Sequence, residues 1–293
     1  MICPFDFFLN ELPRQTWRGS VYYKMKYMSL NLLKNSTAFL YVTFFLVLID
    51  VKAQQEDLLL LKAKDHAMQY YVSLPKGWSN TKTWPVLAVC EAAEKQYKEN
   101  ALRFIKARGE RPYIIVAPFI VTNGNQGLRN PEIFPYTSDT WDQIDREGTC
   151  TFDLQGLDAV LKDVTQKYNG EARIHITGFE AGAHLAWAMT FLQPEKIKSI
   201  VVVAGNFRSR CLGEAILPVA GEHRNLPLIN LVGSLDSSWS SGGRLYDQWL
   251  EGKALAQRQG YVNITEHVIQ DKGHRPMPED VFIQIESLRQ KSK

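Results

Sequence analysis

The sequence has few cysteines and contains no recognisable metal-binding or phosphate-binding motif. It holds 4 cysteines in 293 residues, and the spacing of its Cys and His residues does not resemble a zinc site. Neither G-x-x-x-x-G-K-[ST] nor G-x-G-x-x-G occurs, so the usual phosphate-binding loops are absent from the sequence. We therefore expect neither a metal ion nor an organic cofactor.

Most of the chain also lacks an excess of either charge. Of its 34 basic and 31 acidic residues, six basic and three acidic ones lie in residues 1–53, which leaves 28 of each sign in residues 54–293. A neutral body gives no electrostatic support for nucleic acid or an anionic membrane as a partner. The content of 45% hydrophobic and 22% charged residues is typical of a globular protein.

The apolar run near the N-terminus is too short to span a bilayer comfortably. Residues 38–49 are uncharged, whereas a spanning helix takes about 20 residues. Three lysines precede the run and small residues follow it, which predicts a secretory signal peptide in residues 1–53 with cleavage after Ala53. We expect a secreted or periplasmic protein whose reading frame is over-extended at its start. An uncleaved membrane anchor is the alternative.

Three cysteines remain beyond the predicted signal peptide. Cys90 ends the apolar run 84–90 and is predicted to be a buried small hydrophobe. Cys150 and Cys211 stand in polar, loop-like sequence. In an oxidising compartment we expect these two residues to form a disulfide.

Short apolar, β-branched runs alternate with segments of helical period through residues 54–293. The candidate strands are Gln69–Leu74, Val86–Cys90, Tyr113–Pro118, Arg173–Thr177, Ser199–Ala204, Pro227–Val232 and Thr265–Ile269. The candidate helices lie near Asn100–Ala107, Asp153–Lys167, Ala181–Leu192, Gly243–Gln259 and Pro278–Gln290. Strands that are apolar throughout and separated by helices indicate one α/β domain with a mostly parallel sheet covered on both faces.

Residues 119–150 do not fit this alternation, because they show no clear period. They include the aromatic residues Phe134, Tyr136 and Trp141. Long irregular segments inside a compact domain are often functional lids or binding loops. Two interpretations stay open: the aromatic side chains form one wall of a substrate cleft, or they anchor the segment to the core.

Three residues in a particular order carry the chemistry of this sequence. Residues 173–189 read as a strand, the turn Gly178–Gly182 and a helix, which is the context of a nucleophile elbow, G-x-S-x-G. Downstream, Asp236 follows a strand, and His274 lies in a loop after the last strand. The α/β-hydrolase fold uses the order elbow, acid, histidine. The other five histidines are expected to be structural or exposed.

The sequence resembles the α/β-hydrolase superfamily, and within it secreted esterases and polyhydroxybutyrate depolymerase-like proteins. The similarity covers about residues 68–290 and includes the opening segments Tyr70–Gly77 and Trp84–Leu87. It implies an α/β-hydrolase fold and a small-molecule or polymeric ester-like ligand. It assigns the acid to Asp236 and the histidine to His274. Because residues 54–293 are neutral, we expect no membrane partner once the signal is removed.

The sequence departs from this family at the nucleophile, because position 180 is glutamate. Glu180 has no hydroxyl proton and cannot form an ordinary acyl-enzyme. A second departure follows the strand that ends at Cys90, where Glu91–Ala93 replaces a glycine-rich turn. The resemblance assigns the oxyanion-binding backbone N–H groups to Ala181 and Glu91.

Three interpretations of Glu180 follow. In related enzymes an elbow carboxylate attacks an sp³ carbon, and a histidine then activates water; Glu180 can act likewise or as a general base. Alternatively, Glu180 forms only an ion pair with His274 in a catalytically silent binding protein. In the third interpretation the nucleophile lies elsewhere. A working triad requires Glu180 within hydrogen-bond reach of His274, and His274 within reach of Asp236.

Overall fold

The computed structural model describes residues 58–125, 127–208, 211–212, 218–219, 221–239 and 243–291. The predicted signal peptide and its cleavage site lie outside the described residues. Within those ranges, no helix combines the length and the apolar character that crossing a membrane requires.

Eight strands form a single mixed sheet in the described part of the chain, in the order β1-β2-β4-β3-β5-β6-β7-β8. They are β1 Leu58–Lys62, β2 Gln69–Ser73, β3 Val86–Cys90, β4 Ile114–Pro118, β5 Ile174–Phe179, β6 Ile197–Val203, β7 Leu228–Gly233 and β8 Ile264–Ile269. Strand β2 pairs antiparallel with β1 and β4, and the other pairings are parallel. The prediction of a mostly parallel sheet is confirmed.

Helices cover both faces of this sheet. They are α1 Tyr97–Arg108, α2 Ser138–Glu147, α3 Thr149–Tyr168, α4 Ala183–Leu192, α5 Arg244–Gln259 and α6 Pro278–Lys291. Strand β3 shows why its sequence is apolar throughout: Val86 and Ala88 pack in a core that includes α3 and α4. Leu87 and Val89 face the opposite core, with α1 and α6. Alternate residues of a strand point to opposite faces, so both sets must be apolar.

Two elements were not predicted from the sequence. Strand β1 is an edge strand whose leucines do not alternate with polar residues, and Leu59 and Leu60 are exposed. Helix α2 lies inside the segment without a clear period. It buries only Trp141 and Ile144, which is too short an apolar pattern to indicate a helix. Cys150, expected in a loop, lies instead in the first turn of α3.

The segment 119–150 is anchored to the body of the protein. Phe134 is fully buried and packs edge-on against Tyr97 and Trp141. The predicted disulfide is present and joins Cys150 to Cys211 with their Cα atoms 5.2 Å apart. Of the two interpretations of the aromatic residues, the structure therefore favours anchoring.

Candidate active site

The nucleophile elbow has the backbone that the sequence predicts. Strand β5 ends at Phe179, residues Glu180–Gly182 form a 3₁₀ turn, and α4 follows. Glu180 has φ +47°, in the left-handed region, where a side chain costs about 1–2 kcal/mol. A Cβ at Gly178 would lie 2.4 Å from the carbonyl oxygen of Gly182. Glycine is therefore needed for the helix to start this close to the strand.

The elbow also contacts the loop after β3. A Cβ at Gly182 would lie 2.5 Å from the carbonyl oxygen of Cys90 and 2.7 Å from that of Glu91. The loops that carry the two predicted oxyanion donors, Ala181 and Glu91, are thus in direct backbone contact. No helix or side chain separates Gly182 from these carbonyl groups.

Asp236 and His274 are brought together as expected from their order in the sequence. His274 Nδ1 lies 2.8 Å from Asp236 Oδ2. The backbone N–H of Ser238 donates to the other carboxylate oxygen at 2.9 Å, and the Ser238 hydroxyl also contacts His274 Nδ1 at 3.1 Å. Burial raises the pKa of Asp236, but the hydrogen bonds from Ser238 and His274 outweigh it, so the pKa lies below its usual value.

Ser238 is not among the site residues predicted from the sequence. Its signal was its position two residues after the acid, where a serine can bond back to an aspartate side chain.

Glu180 is not bonded to His274, so the hydrogen-bond contact expected of a working Glu180–His274–Asp236 triad is absent. Within the described residues, the Glu180 carboxylate forms no hydrogen bond or ion pair with that imidazole. The ring of the preceding residue, Phe179, packs on the His274 ring with centroids 4.9 Å apart. Because Nδ1 of His274 is held by Asp236, the nitrogen left for chemistry is Nε2. The half-buried Glu180 side chain is thus not closed off by an ion pair to His274.

A buried polar cluster supports the loop after β3. Lys95, which has φ +56° and is 5% exposed, donates from Nζ to Asn123 Oδ1 at 2.7 Å and to the carbonyl of Gly124 at 2.9 Å. Asn123 in turn donates from Nδ2 to the carbonyls of Glu91 and Ala92 at 3.0 and 2.8 Å. The loop is therefore held by side chains that the predicted active site did not include.

Burial shifts the ionisation of this cluster toward neutral pH. It raises the pKa of Glu91 to about 7 and lowers the pKa of Lys95 to about 8. It also raises the pKa of the fully buried Asp153 to about 6. Asp153 accepts hydrogen bonds from the backbone N–H groups of Val121 and Thr122, so it holds the strand-end backbone that leads to Asn123.

A second serine–histidine contact lies elsewhere in the protein. Ser199 Oγ is 2.7 Å from His175 Nδ1. Ser199 is completely buried, however, and no substrate can reach its hydroxyl. This pair therefore gives no support to a nucleophile away from Glu180.

Comparisons with known proteins identify the fold. No protein-family model matches the sequence, and no curated protein matches it. Among solved structures, poly(aspartic acid) hydrolase-1 from Sphingomonas sp. KT-1 has 15% identity and a TM-score of 0.54, with 79% of this chain and 97% of that chain covered. A thermostable esterase has 15% identity and a TM-score of 0.52, with 80% and 63% covered.

A third similar structure is an S-formylglutathione hydrolase from Agrobacterium tumefaciens. It has 14% identity and a TM-score of 0.50, with 80% of this chain and 92% of that chain covered. Identities this low establish the shared fold and not a shared reaction. Together with the strand order, they show that the chain has an α/β-hydrolase fold, similar in structure to hydrolases that include esterases.

Proposed function

We propose that this chain is an exported hydrolase of esters or related bonds in which Glu180 replaces the serine nucleophile. Two observations carry the proposal: a strained glutamate at the elbow, and a histidine oriented by the acid of the predicted triad. Glu180 has φ +47°, while Asp236 holds His274 by Nδ1. A residue in a strained backbone conformation at an elbow is a frequent feature of active sites.

In the proposed first step, a carboxylate oxygen of Glu180 attacks the sp³ carbon that bears the leaving group. A bond forms between that oxygen and the carbon, and the bond to the leaving oxygen or halide breaks with its electron pair. An epoxide, a haloalkane or the alkyl carbon of an ester suits this step. The product is an alkyl ester of Glu180.

In the second step, His274 Nε2 takes a proton from water while the resulting hydroxide attacks the ester carbonyl of Glu180. The bond from that carbonyl carbon to the alkoxy oxygen breaks, and His274 returns the proton to the departing alcohol. Asp236 stabilises the imidazolium between these transfers. Backbone N–H groups of Ala181 and Glu91 are the assigned donors to the oxyanion formed on Glu180.

A catalytically silent binding protein is the second candidate, and the loop after β3 favours it. This loop lacks glycine, and Asn123 fixes its carbonyls at Glu91 and Ala92. Backbone without glycine approaches a substrate less closely. In that case the elbow region binds an ester-like ligand without converting it.

A panel of aryl esters, epoxides and haloalkanes, assayed with purified protein, tests the proposal. Glu180→Gln preserves shape but removes the attacking charge, so turnover should fall by about 10³-fold or more. Glu195→Gln, at an exposed glutamate, is the matched control and should retain full activity. Wild-type protein that binds ester analogues without turnover would support the silent alternative.

Isotope labelling separates the two roles of Glu180. After one turnover in H₂¹⁸O, the covalent route places ¹⁸O in the Glu180 carboxylate, which mass spectrometry of the active-site peptide detects. If Glu180 acts only as a general base, the label appears in the product alone. Turnover that survives in Glu180→Gln would exclude both roles.

Export is part of the proposal and rests on two features. The first is the signal-peptide pattern of residues 1–53, and the second is the disulfide between Cys150 and Cys211, which is typical of oxidising compartments. N-terminal sequencing of the protein recovered from the periplasm or medium should begin after Ala53. Recovery only from the cytosol, with two free thiols, would contradict export.

A further inference from the structure

A cavity of about 620 Å³ lies at the amino edge of the parallel strands, away from the candidate active site. Its lining includes Arg173 and His175 at the start of β5, Lys198 in β6 and Arg289 in α6. Glu180 follows the other end of β5, five residues beyond His175, which corresponds to about 17 Å of extended strand. The cavity is therefore distinct from the elbow, and the proposed hydrolysis does not use it.

The charged groups of the cavity are unequally paired. Lys198 forms an ion pair with Glu171, which also lines the cavity. Arg173 instead donates to the backbone carbonyl of Ile197 at 2.7 Å and has no ion pair within the described part of the chain. A guanidinium has five N–H donors. Arg173 therefore keeps both its charge and several donors for an anion.

His175 adds a buried polar group to the same cavity. It is 5% exposed, and Ser199 Oγ is 2.7 Å from its Nδ1. Among the described residues, its Nε2 has no hydrogen-bond partner. Burial lowers the pKa of His175 to about 3, with Lys198 and Arg289 acting in the same direction. The ring is thus neutral, and when Nδ1 accepts the Ser199 proton, Nε2 carries the N–H.

The remaining lining limits the charge and the shape of a ligand. Lys198 and Arg289 are each ion-paired with a glutamate. Among the described lining residues, Arg173 is therefore the cation without an ion pair. Pro85, Leu226 and Pro227 add an apolar surface. The volume is within the range of about 300–1,000 Å³ that is usual for small-molecule sites.

We propose that this cavity binds a monocarboxylic acid with an apolar body. The carboxylate contacts the guanidinium of Arg173 and the Nε2–H of His175, and the body packs on Leu226 and Pro227. Arg is suited to this because its planar N–H groups match the two carboxylate oxygens. Inorganic phosphate, which carries more than one negative charge at neutral pH, matches a single unpaired guanidinium less well.

Titration of the purified full-length protein with hexanoate tests this site directly. Calorimetry should give saturable binding, and hexanamide of the same shape should bind at least about tenfold more weakly because it lacks the charge. Arg173→Gln should weaken hexanoate binding by about tenfold or more. Arg103→Gln, at an exposed arginine with a single hydrogen bond on α1, is the matched control and should bind as wild type.

Imidazole signals locate the bound acid, since the chain has 6 histidines. In NMR spectra of the histidine rings, hexanoate should shift the His175 signals and leave those of His274 in place. Three results would each overturn the proposal: no saturable binding, equal affinity for hexanamide, or binding unchanged in Arg173→Gln. A shift at His274 alone would place the acid at the candidate active site and would also overturn it.

Discussion

The elbow and the loop after β3 meet at Gly182, yet they differ in which sequence and backbone features of a serine hydrolase they retain. The elbow has the strained backbone and both glycines, with only its central side chain changed to Glu180. The loop after β3 lacks the glycines. It is held instead by Lys95 and Asn123, which are both buried.

This difference shows which forces shape each region. The elbow backbone is fixed by close contact of Gly178 with Gly182, so replacing a side chain leaves it intact. The loop depends on buried groups whose pKa values burial moves toward neutrality, to about 7 for Glu91 and about 8 for Lys95. We therefore expect steric changes to lower the stability of the elbow, and pH to change the stability of the loop.

Removal of the disulfide should have the largest effect on stability. The bond closes a loop between Cys150 and Cys211, 61 residues apart, and in the chain-entropy model it contributes about 4 kcal/mol. Denaturant unfolding of the double variant Cys150→Ala, Cys211→Ala measures this loss. Cys90→Ala, at a buried cysteine outside the disulfide, should cost about 1 kcal/mol and serves as the control.

Hydrogen exchange in the double cysteine variant sharpens the comparison. Asp153, three residues after Cys150, holds the backbone beside Asn123. Amides of residues 91–95 should therefore lose more protection than those of residues 180–183. Equal loss in both regions would show that the disulfide stabilises the two alike.

Gly182→Ala should have the next largest effect, because it acts on both regions at once. The new Cβ would lie 2.5 and 2.7 Å from the carbonyl oxygens of Cys90 and Glu91, and backbone cannot move aside cheaply. We expect a loss of about 3 kcal/mol in the free energy of unfolding. Gly221→Ala, where a Cβ has no neighbour within 4 Å, should change it by less than about 0.5 kcal/mol. A small loss at Gly182 would contradict the close packing.

The sequence predicts most of the fold because burial leaves a local pattern. Strands such as β3 and β4 are apolar throughout, and the strand that carries the elbow precedes a recognisable turn. Strand β1 and helix α2 lack such a signal. The first is an exposed edge, and the second buries only Trp141 and Ile144.

The candidate site can be predicted only in part, because only some of its features leave a local pattern in the sequence. Asp236 and His274 follow strands whose ends meet at one edge of the sheet, so topology alone brings them together. The Lys95–Asn123 contact joins residues 28 apart in sequence, and no local pattern predicts that pairing. The separation of Glu180 from His274 depends on side-chain placement, which order along the chain does not determine.

The pH dependence of the loop provides the third prediction. The pKa of Glu91 is about 7 in the folded protein against an ordinary value of 4.5, so the folded state binds this proton more tightly than the unfolded state. Its contribution to stability therefore rises as pH falls from about 7 toward 4.5, and is lost as pH rises through 7. The full change is on the order of 3 kcal/mol.

Glu91→Gln should remove this dependence, because the amide still accepts the hydrogen bond from the Gln96 backbone but does not titrate. Denaturant unfolding of both proteins at several pH values gives the difference. The free energy of unfolding of the variant should exceed that of wild type most above pH 7. This difference should shrink toward pH 4.5. A difference that is constant with pH would show that Glu91 keeps an ordinary pKa.

Glu180→Asn should have the smallest effect and the opposite sign. Asparagine tolerates the left-handed region better than glutamate, so at φ +47° the variant should gain about 0.5–1 kcal/mol of stability. Any turnover should be lost, because the shorter amide cannot attack. Glu195→Asn, outside the left-handed region, should show no gain in thermal or denaturant unfolding. If Glu180→Asn were instead less stable than wild type, the glutamate side chain would be contributing more to the fold than its backbone strain costs, and the elbow would respond to its side chain after all.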